Sequence, residues 1–154
     1  MTDYSLKDLK NALIRVGLKK GDNILCHSNI GYFGRVKGIK NSEQLCKAFL
    51  KVILSIIKKK GTFIVPTFSY SFFYKKNFEI KKTKSKMGIF SEYIRKHPKS
   101  TRSLDPNFSV SALGYHSQYF SEVNTENTYS EESFFDKFHK QNGKILDFNF
   151  IGST

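Results

Sequence analysis

Three short stretches carry residues whose types and spacing could do chemistry. The first lies within Asp22 to Gly38, DNILCHSNIGYFGRVKG, where an apolar run closes on His27, Ser28 and Asn29 and gives way to Gly31, Gly34, Arg35 and Gly38. Glycines let backbone N–H groups come close to an anion or an amide, and an arginine beside them can pair with a phosphate. The same composition also makes an ordinary turn, and the residues alone leave both readings open. The second stretch is Pro66-Thr67-Phe68-Ser69-Tyr70-Ser71, whose hydroxyls can bond a polar substrate or simply cap a turn. The third is Gly152-Ser153-Thr154 at the end of the last apolar run. A further segment, Arg102 to Ser109 (RSLDPNFS), places Asp105 between an arginine and a proline. That pattern fits a turn with a local ion pair, worth little if exposed.

The elements that must position these residues are legible from periodicity. Ser5 caps a helix with Asp8 at its third position and Leu6, Leu9, Leu13 and Val16 on one face, and Gly17 stops it. Asn23–His27 reads as a short buried strand. Ser42 starts a second helix carrying Leu45, Phe49, Val52, Ile53 and Ile56 at helical spacing and ending in Lys58, Lys59, Lys60 and Gly61. Thr62–Pro66 is a second buried strand. Tyr74 to Lys86 (YKKNFEIKKTKSK) is charged, lacks apolar periodicity and reads as an exposed loop. A helix over Gly88 to His97 ends at Pro98, strands follow over Ser109–Gly114 and Lys144–Phe150, and a short helix over Ser133 to Lys140 lies between those two strands. Helices alternating with buried strands predict an α/β fold, and in open α/β sheets ligands sit at the carboxyl ends of strands. All three chemical stretches fall at such ends.

Composition bounds the function. The chain has 154 residues, 39% hydrophobic and 15% aromatic, which fits one domain with a real core and excludes disorder as a description of the whole. Lys and Arg number 26 against 13 Asp and Glu, a formal net charge of +13. Such a balance suits anionic partners, among them nucleic acid, a membrane surface or a phosphate-bearing cofactor. The basic residues are scattered, which equally fits solvated faces. Cys26 and Cys46 sit in core-like patterns, so no disulfide framework is implied and a reducing cytoplasm fits. The most apolar run, Phe49 to Ile57, is too short to cross a bilayer. No Cys/His spacing suits zinc, no Gly-Lys-Ser/Thr loop marks an NTPase, and no Gly-x-Ser-x-Gly elbow is present. His97, His116 and His139 stand among polar neighbours and read as surface or helix-end histidines.

Taken in order, LIRVGLKKGDNILCHSNIGYFGRVKG, KKGTFIVPTFSYSF, TRSLDPNFSVSALGYHS and YSEESFFDKFHKQNGKILDFNFIGST resemble the aminoglycoside 3-N-acetyltransferase family, which acylates amino sugars and related amines and includes antibiotic-resistance enzymes. Each motif is weak by itself, but the ordered set spans nearly the whole chain. The resemblance implies a layered α/β/α sandwich with a mixed sheet. It implies acetyl-CoA as co-substrate and a small-molecule amine as acceptor. His27, Ser28, Gly34, Arg35 and Val36 would then lie on the pantetheine or phosphates of coenzyme A. Thr67 and Ser69 would face the acyl-transfer site, and Arg102, Ser103 and Ser109 would shape it. Three departures stand out. Asp105 replaces a histidine common in the family, Ser133-Phe134 replaces a Ser-Pro helix start, and the family's histidine base follows the threonine matched by Thr154. The expectation is therefore a single truncated domain over residues 1–154, incomplete at its carboxyl end and impaired in catalysis.

Two classes of function compete at this point. One is the cytoplasmic N-acetyltransferase. The other is a binding protein without catalysis, either a remnant that still grips coenzyme A or a basic nucleic-acid binder. Nucleic acid would call for a basic stripe interleaved with exposed aromatics. Only YKKNFEIKKTKSK is a candidate for that, and it reads better as a solvated loop, so neither nucleic acid nor membrane is an expected partner. No metal is expected.

Overall fold

The structure, a computed structural model, describes residues 3–123, 125 and 127–148. The chain opens with β1 (Asp3–Tyr4) and α1 (Leu6–Arg15), followed by β2 (Asn23–Ser28), a 3₁₀ turn over Ile30–Tyr32, β3 (Arg35–Val36) and α2 (Ser42–Ile57). Then come β4 (Thr62–Pro66), α3 (Gly88–Arg95), β5 (Thr101–Arg102), β6 (Val110–Gly114), α4 (Ser117–Ser121), α5 (Phe134–Lys140) and β7 (Lys144–Phe148).

The local chemistry explains most of these elements. Ser5 and Asp8 form a reciprocal capping box that starts α1. The side chains of Asn41 and Ser133 cap α2 and α5 by accepting the backbone N–H of Gln44 and Asp136. Strands β2 and β4 run through consecutive buried residues because both of their faces are covered.

Five strands form the main sheet in the order β5-β6-β4-β2-β7. Strand β2 lies parallel to both β4 and β7, whereas β6 runs antiparallel to β4 and β5. The sheet is thus mixed. One face carries Ile24, Cys26, Phe63, Val65 and Leu113 against α1, α2 and α3. The other carries Leu25, Ile64, Val110 and Ala112 against Phe120 of α4 and Phe134 and Phe138 of α5. These are the three layers of an α/β/α sandwich, as the sequence predicts. A separate parallel pair, β1 with β3, lies at the amino-terminal side.

The boundaries differ little from expectation. β2 runs one residue further, to Ser28, and β6 begins at Val110 instead of Ser109. The two-residue strands and α4 are too short to leave a period in the sequence. The outer part of the predicted last strand, Asn149 and Phe150, lies outside the described residues, as does Thr154.

Phe49 is the hub of the larger core. It is fully buried on α2, and its ring meets Phe33 at 5.9 Å, Phe148 at 5.5 Å and Phe90 at 6.3 Å, all edge-on. One side chain therefore joins α2 to β7, to α3 and to the loop that follows β2. Truncation by Phe49→Ala should destabilise the fold by about 3–5 kcal/mol, as for large aromatic deletions from tight cores. Equilibrium denaturation checks it, and a cost under about 1 kcal/mol would remove Phe49 from the hub.

Candidate functional site

Because β2, β4 and β7 are parallel, their carboxyl ends lie together, and antiparallel β6 begins beside them. His27 and Ser28 close β2 in register with Asp147 and Phe148 of β7. The loop leaving β2 is tied to the neighbouring strand by Asn29 N–H donating to the Phe148 carbonyl at 2.9 Å. Ser28 Oγ is buried and has no hydrogen-bond partner among the described residues. Buried hydroxyls are seldom left unpaired, and such an atom at a strand end marks a place where a ligand group can complete it.

Beyond Ser28 the backbone turns through Gly34, with φ of 86°, into β3 and then through Gly38, with φ of 79°. Both conformations are left-handed and suit glycine. The turns create a groove of about 530 Å³ lined by residues 34–41 together with Asp3 and Leu45. Arg35, Lys37 and Lys40 are exposed along it, while Val36 is buried beneath. The 16-residue α2 starts at the same place, so its positive end adds to the three cations. The predicted residues Gly34, Arg35 and Val36 are thus brought together in one cationic groove, with His27 and Ser28 at the strand end that leads into it.

The second predicted cluster is a buried hydroxyl network. Thr67 Oγ1 donates to the Ser109 carbonyl at 3.0 Å, and Ser109 Oγ lies 2.9 Å from the Thr67 carbonyl. Ser69 Oγ donates to the Pro106 carbonyl, and Ser103 Oγ accepts the Val110 N–H. All four side chains are enclosed. Arg102 sits at the centre. Its Nε donates to Ser109 Oγ, one terminal nitrogen donates to the carbonyls of Ile80 and Thr83, and the other donates to the carbonyl of Thr67. Phe78 covers the guanidinium at 4.8 Å. Burial, with Arg95 nearby, pulls its pKa down to about 10, leaving it charged at neutral pH. Thr67, Ser69, Arg102, Ser103 and Ser109 therefore form one unit directly beneath the end of β4.

Asp105 behaves differently from the local ion pair suggested by sequence. Its carboxylate accepts the N–H groups of Asn107 and Phe108, both at 2.7 Å, and the Thr128 hydroxyl at 3.0 Å. It shapes its own turn and pins a second loop, while Arg102 goes to backbone carbonyls. The loop over residues 74–86, expected to be exposed, is exposed along most of its side chains. Its backbone, however, is held by Arg102, by Arg95 donating to the Lys81 carbonyl, and by Glu92 accepting the Ser85 N–H. Sequence reasoning missed this pinning because the residues involved are up to 22 positions apart.

The other described histidines lie away from the β2 end. His97 follows α3, His116 follows β6 at the opposite end of the sheet, and His139 is on α5. Among the described residues no cluster of His, Cys, Asp or Glu could hold a metal ion, and no helix is long and apolar enough to cross a membrane.

Two consequences can be measured. Arg102→Ala leaves the carbonyls of Ile80 and Thr83 without their donor, while the Thr67 carbonyl keeps Ser109 Oγ, and should cost about 2 kcal/mol or more, at roughly 1–3 kcal/mol for each buried group left unsatisfied. Arg102→Lys should restore little of that, because an ammonium cannot reproduce the planar fork. Denaturant titration of both variants tests this, and a near-native Arg102→Lys would refute it. Glu92 gives a pH signature. Burial acts to raise its pKa, but the Arg95 and Ser85 hydrogen bonds and the charges of Arg95 and Lys96 outweigh burial and hold it at about 2. A depressed carboxylate pKa contributes stability above the unfolded value of about 4.3, and that stability is lost as pH falls toward 2. Glu92→Gln should flatten the stability–pH curve between those limits, and an unchanged slope would count against the assignment.

A sequence model described as Aminoglycoside 3-N-acetyltransferase matches residues 25–151. No curated protein matches the chain significantly by sequence. Among solved structures, "AAC-IIIb binary with CoASH" superposes with a TM-score of 0.79 at 20% identity, covering 95% of this chain and 59% of that one. The apoenzyme of the aminoglycoside acetyltransferase AAC(3)-IVa gives 0.82 at 17% identity, covering 97% of this chain and 56% of its own. The YokD protein from Bacillus subtilis gives 0.79 at 22% identity, with 94% and 64% covered. The chain therefore spans somewhat under two thirds of the length of each.

Proposed function

The chain belongs to the aminoglycoside 3-N-acetyltransferase family, and on that premise we propose that it supplies the cofactor-gripping strand ends of an acetyl-CoA-dependent N-acetyltransferase acting on an amino group of an aminoglycoside or amino sugar. In that reaction the amine nitrogen bonds to the thioester carbonyl carbon, the C–S bond breaks, coenzyme A leaves as the thiol, and the amine gives up a proton. One solved neighbour is described as a complex with CoASH, and the residues of this chain fit such a ligand.

The observation that carries the proposal is the groove at the end of β2. Coenzyme A bears a pyrophosphate and a sugar phosphate. Arg35, Lys37, Lys40 and the amino end of α2 offer complementary charge, and glycines at positions 34 and 38 let the backbone come close. The pantetheine arm then runs toward His27 and Ser28, where the unpaired Ser28 hydroxyl can donate to an amide or thioester oxygen. His27 is the described histidine at that strand end and orients the thioester. The unit of Thr67, Ser69, Arg102, Ser103 and Ser109 forms the rigid floor on the acceptor side. Arg102 is a positioning residue there, since its donors are committed to the protein. Two free, buried thiols and acetyl-CoA as co-substrate support a cytoplasmic site of action.

Calorimetric titration of the 154-residue chain with coenzyme A tests this. Binding should be saturable and weakened by salt. Arg35→Ala should lose a charge-assisted phosphate contact worth about 1.5–3 kcal/mol, which is about ten- to a hundredfold in Kd. Unchanged affinity would exclude Arg35 from the site, and absence of binding would overturn the cofactor assignment.

A further inference from the structure

On the opposite flank of the same strand ends, the chain leaving β4 turns sharply and presents an unusual surface. Tyr70 and Lys75 both hold left-handed backbone conformations, with φ of 54° and 53°, which is uncommon for bulky side chains and frequent at binding sites. The turn is clamped to the following loop. Ser71 N–H donates to the Pro106 carbonyl at 2.7 Å, and Phe73 N–H donates to the Asn107 side chain at 3.1 Å. Held this way, Phe72 and Phe73 stand 73% and 74% exposed, and Tyr74 is half exposed. Lys86 crosses back to place its ammonium 3.8 Å above the Tyr74 ring. Residues 72–86 hold six lysines and one glutamate. That glutamate, Glu79, is already paired with Lys82 at 2.7 Å.

The exposed rings of Phe72 and Phe73 on this clamped turn, with the exposed Lys75 and Lys76 following them, offer stacking faces with an anion site beside them. A polycationic acceptor would meet the like charge of these lysines here. Asp105, the nearest acid in the clamped loop, is turned inward to backbone N–H groups and Thr128. We propose that the acceptor on this flank is a nucleotide-linked amino sugar, with its base on Phe72 and Phe73, its phosphates on Lys75, Lys76 and Lys86, and its amine directed toward the end of β2. This rests on the acyltransferase reading above and replaces the polycationic aminoglycoside with an anionic acceptor. Two adjacent exposed rings can stack one base, whereas single-stranded nucleic acid needs a groove that follows several nucleotides. It also lies at the β4 end, while the groove at Arg35 lies beyond the β2 end. A nucleotide-linked acceptor and coenzyme A can therefore be held together.

Calorimetry of the 154-residue chain, with and without saturating coenzyme A, decides it. UDP-glucosamine should bind at least tenfold more tightly than glucosamine or an aminoglycoside, and with undiminished affinity when coenzyme A is present. The double variant Phe72→Ala/Phe73→Ala should lose at least tenfold toward UDP-glucosamine while keeping its coenzyme A affinity and thermal melting point. Lys75→Ala/Lys76→Ala should reduce the salt dependence of UDP-glucosamine binding. Glucosamine 1-phosphate binding as tightly as UDP-glucosamine would overturn the role of the base. Competition with coenzyme A would assign the platform to the cofactor. Tighter binding of an aminoglycoside, or a single-stranded oligonucleotide bound more tightly per site, would also overturn the proposal. Failure of coenzyme A to bind, with UDP-glucosamine still bound at Phe72 and Phe73, would sink the acyltransferase reading and leave this site standing.

Discussion

A single buried cation organises the end of β4 and the loop that follows it. Arg102 lies on the edge strand β5 with 8% of its surface exposed, and its guanidinium reaches Thr67 just after β4, Ser109 just before β6 and the lysine-rich loop at once. Burying a charge is costly, and here four acceptors in a planar arrangement offset that cost. Two of them, the carbonyls of Ile80 and Thr83, would otherwise need water. The loop over residues 72–86 has too few apolar side chains to order itself, so the arginine supplies what a hydrophobic core cannot. Glu92 and Arg95, paired at 2.7 Å on α3, hold the other side of the same loop.

Several acids of the chain are spent on such wiring. Asp22 receives Lys144 across 122 positions of sequence, joining the starts of β2 and β7. Asp105 and Glu92 satisfy backbone N–H groups, and Asp8 and Asp136 serve helix starts. Most of the cations, by contrast, remain at the surface. An excess of 13 positive charges then acts as a field that draws in anions and falls away with salt. The two cationic flanks of the strand ends differ in kind. One is a backbone-lined groove at a helix start, and the other an aromatic platform.

Both flanks depend on packing behind them. The loop after β2 is positioned by Phe33, whose ring lies 5.1 Å from Phe148 and 5.9 Å from Phe49. On the other side, Phe68, Tyr70 and Phe108 pack edge-on at 5.2–6.2 Å, continuing the β4 end into the turn that carries Phe72. Aromatic pairs of this geometry add directional preference to ordinary burial. Small displacements of either loop are therefore resisted by rings rather than by long-range charges.

The sequence by itself determined the elements whose forces are local. The Ser5–Asp8 cap, the apolar stripe of α2, the continuous apolar runs of β2 and β4, and the glycines of the loop after β2 all follow from residue spacing, and they locate the strand ends. The ordered motifs also carried the family. Only the tertiary structure decided the sheet order, with β7 beside β2 and β6 reversed against β4, because strand pairing is set by non-local contacts. It likewise decided the partners of Arg102 and Asp105. Two residues three positions apart invite a local ion pair in sequence, yet the fold offers Arg102 a cluster of carbonyls and Asp105 a turn of N–H groups, each with better geometry. The exposed Phe72–Phe73 platform was invisible for the same reason. Apolar residues are read as core until the fold, having filled its core with other side chains, leaves them outside.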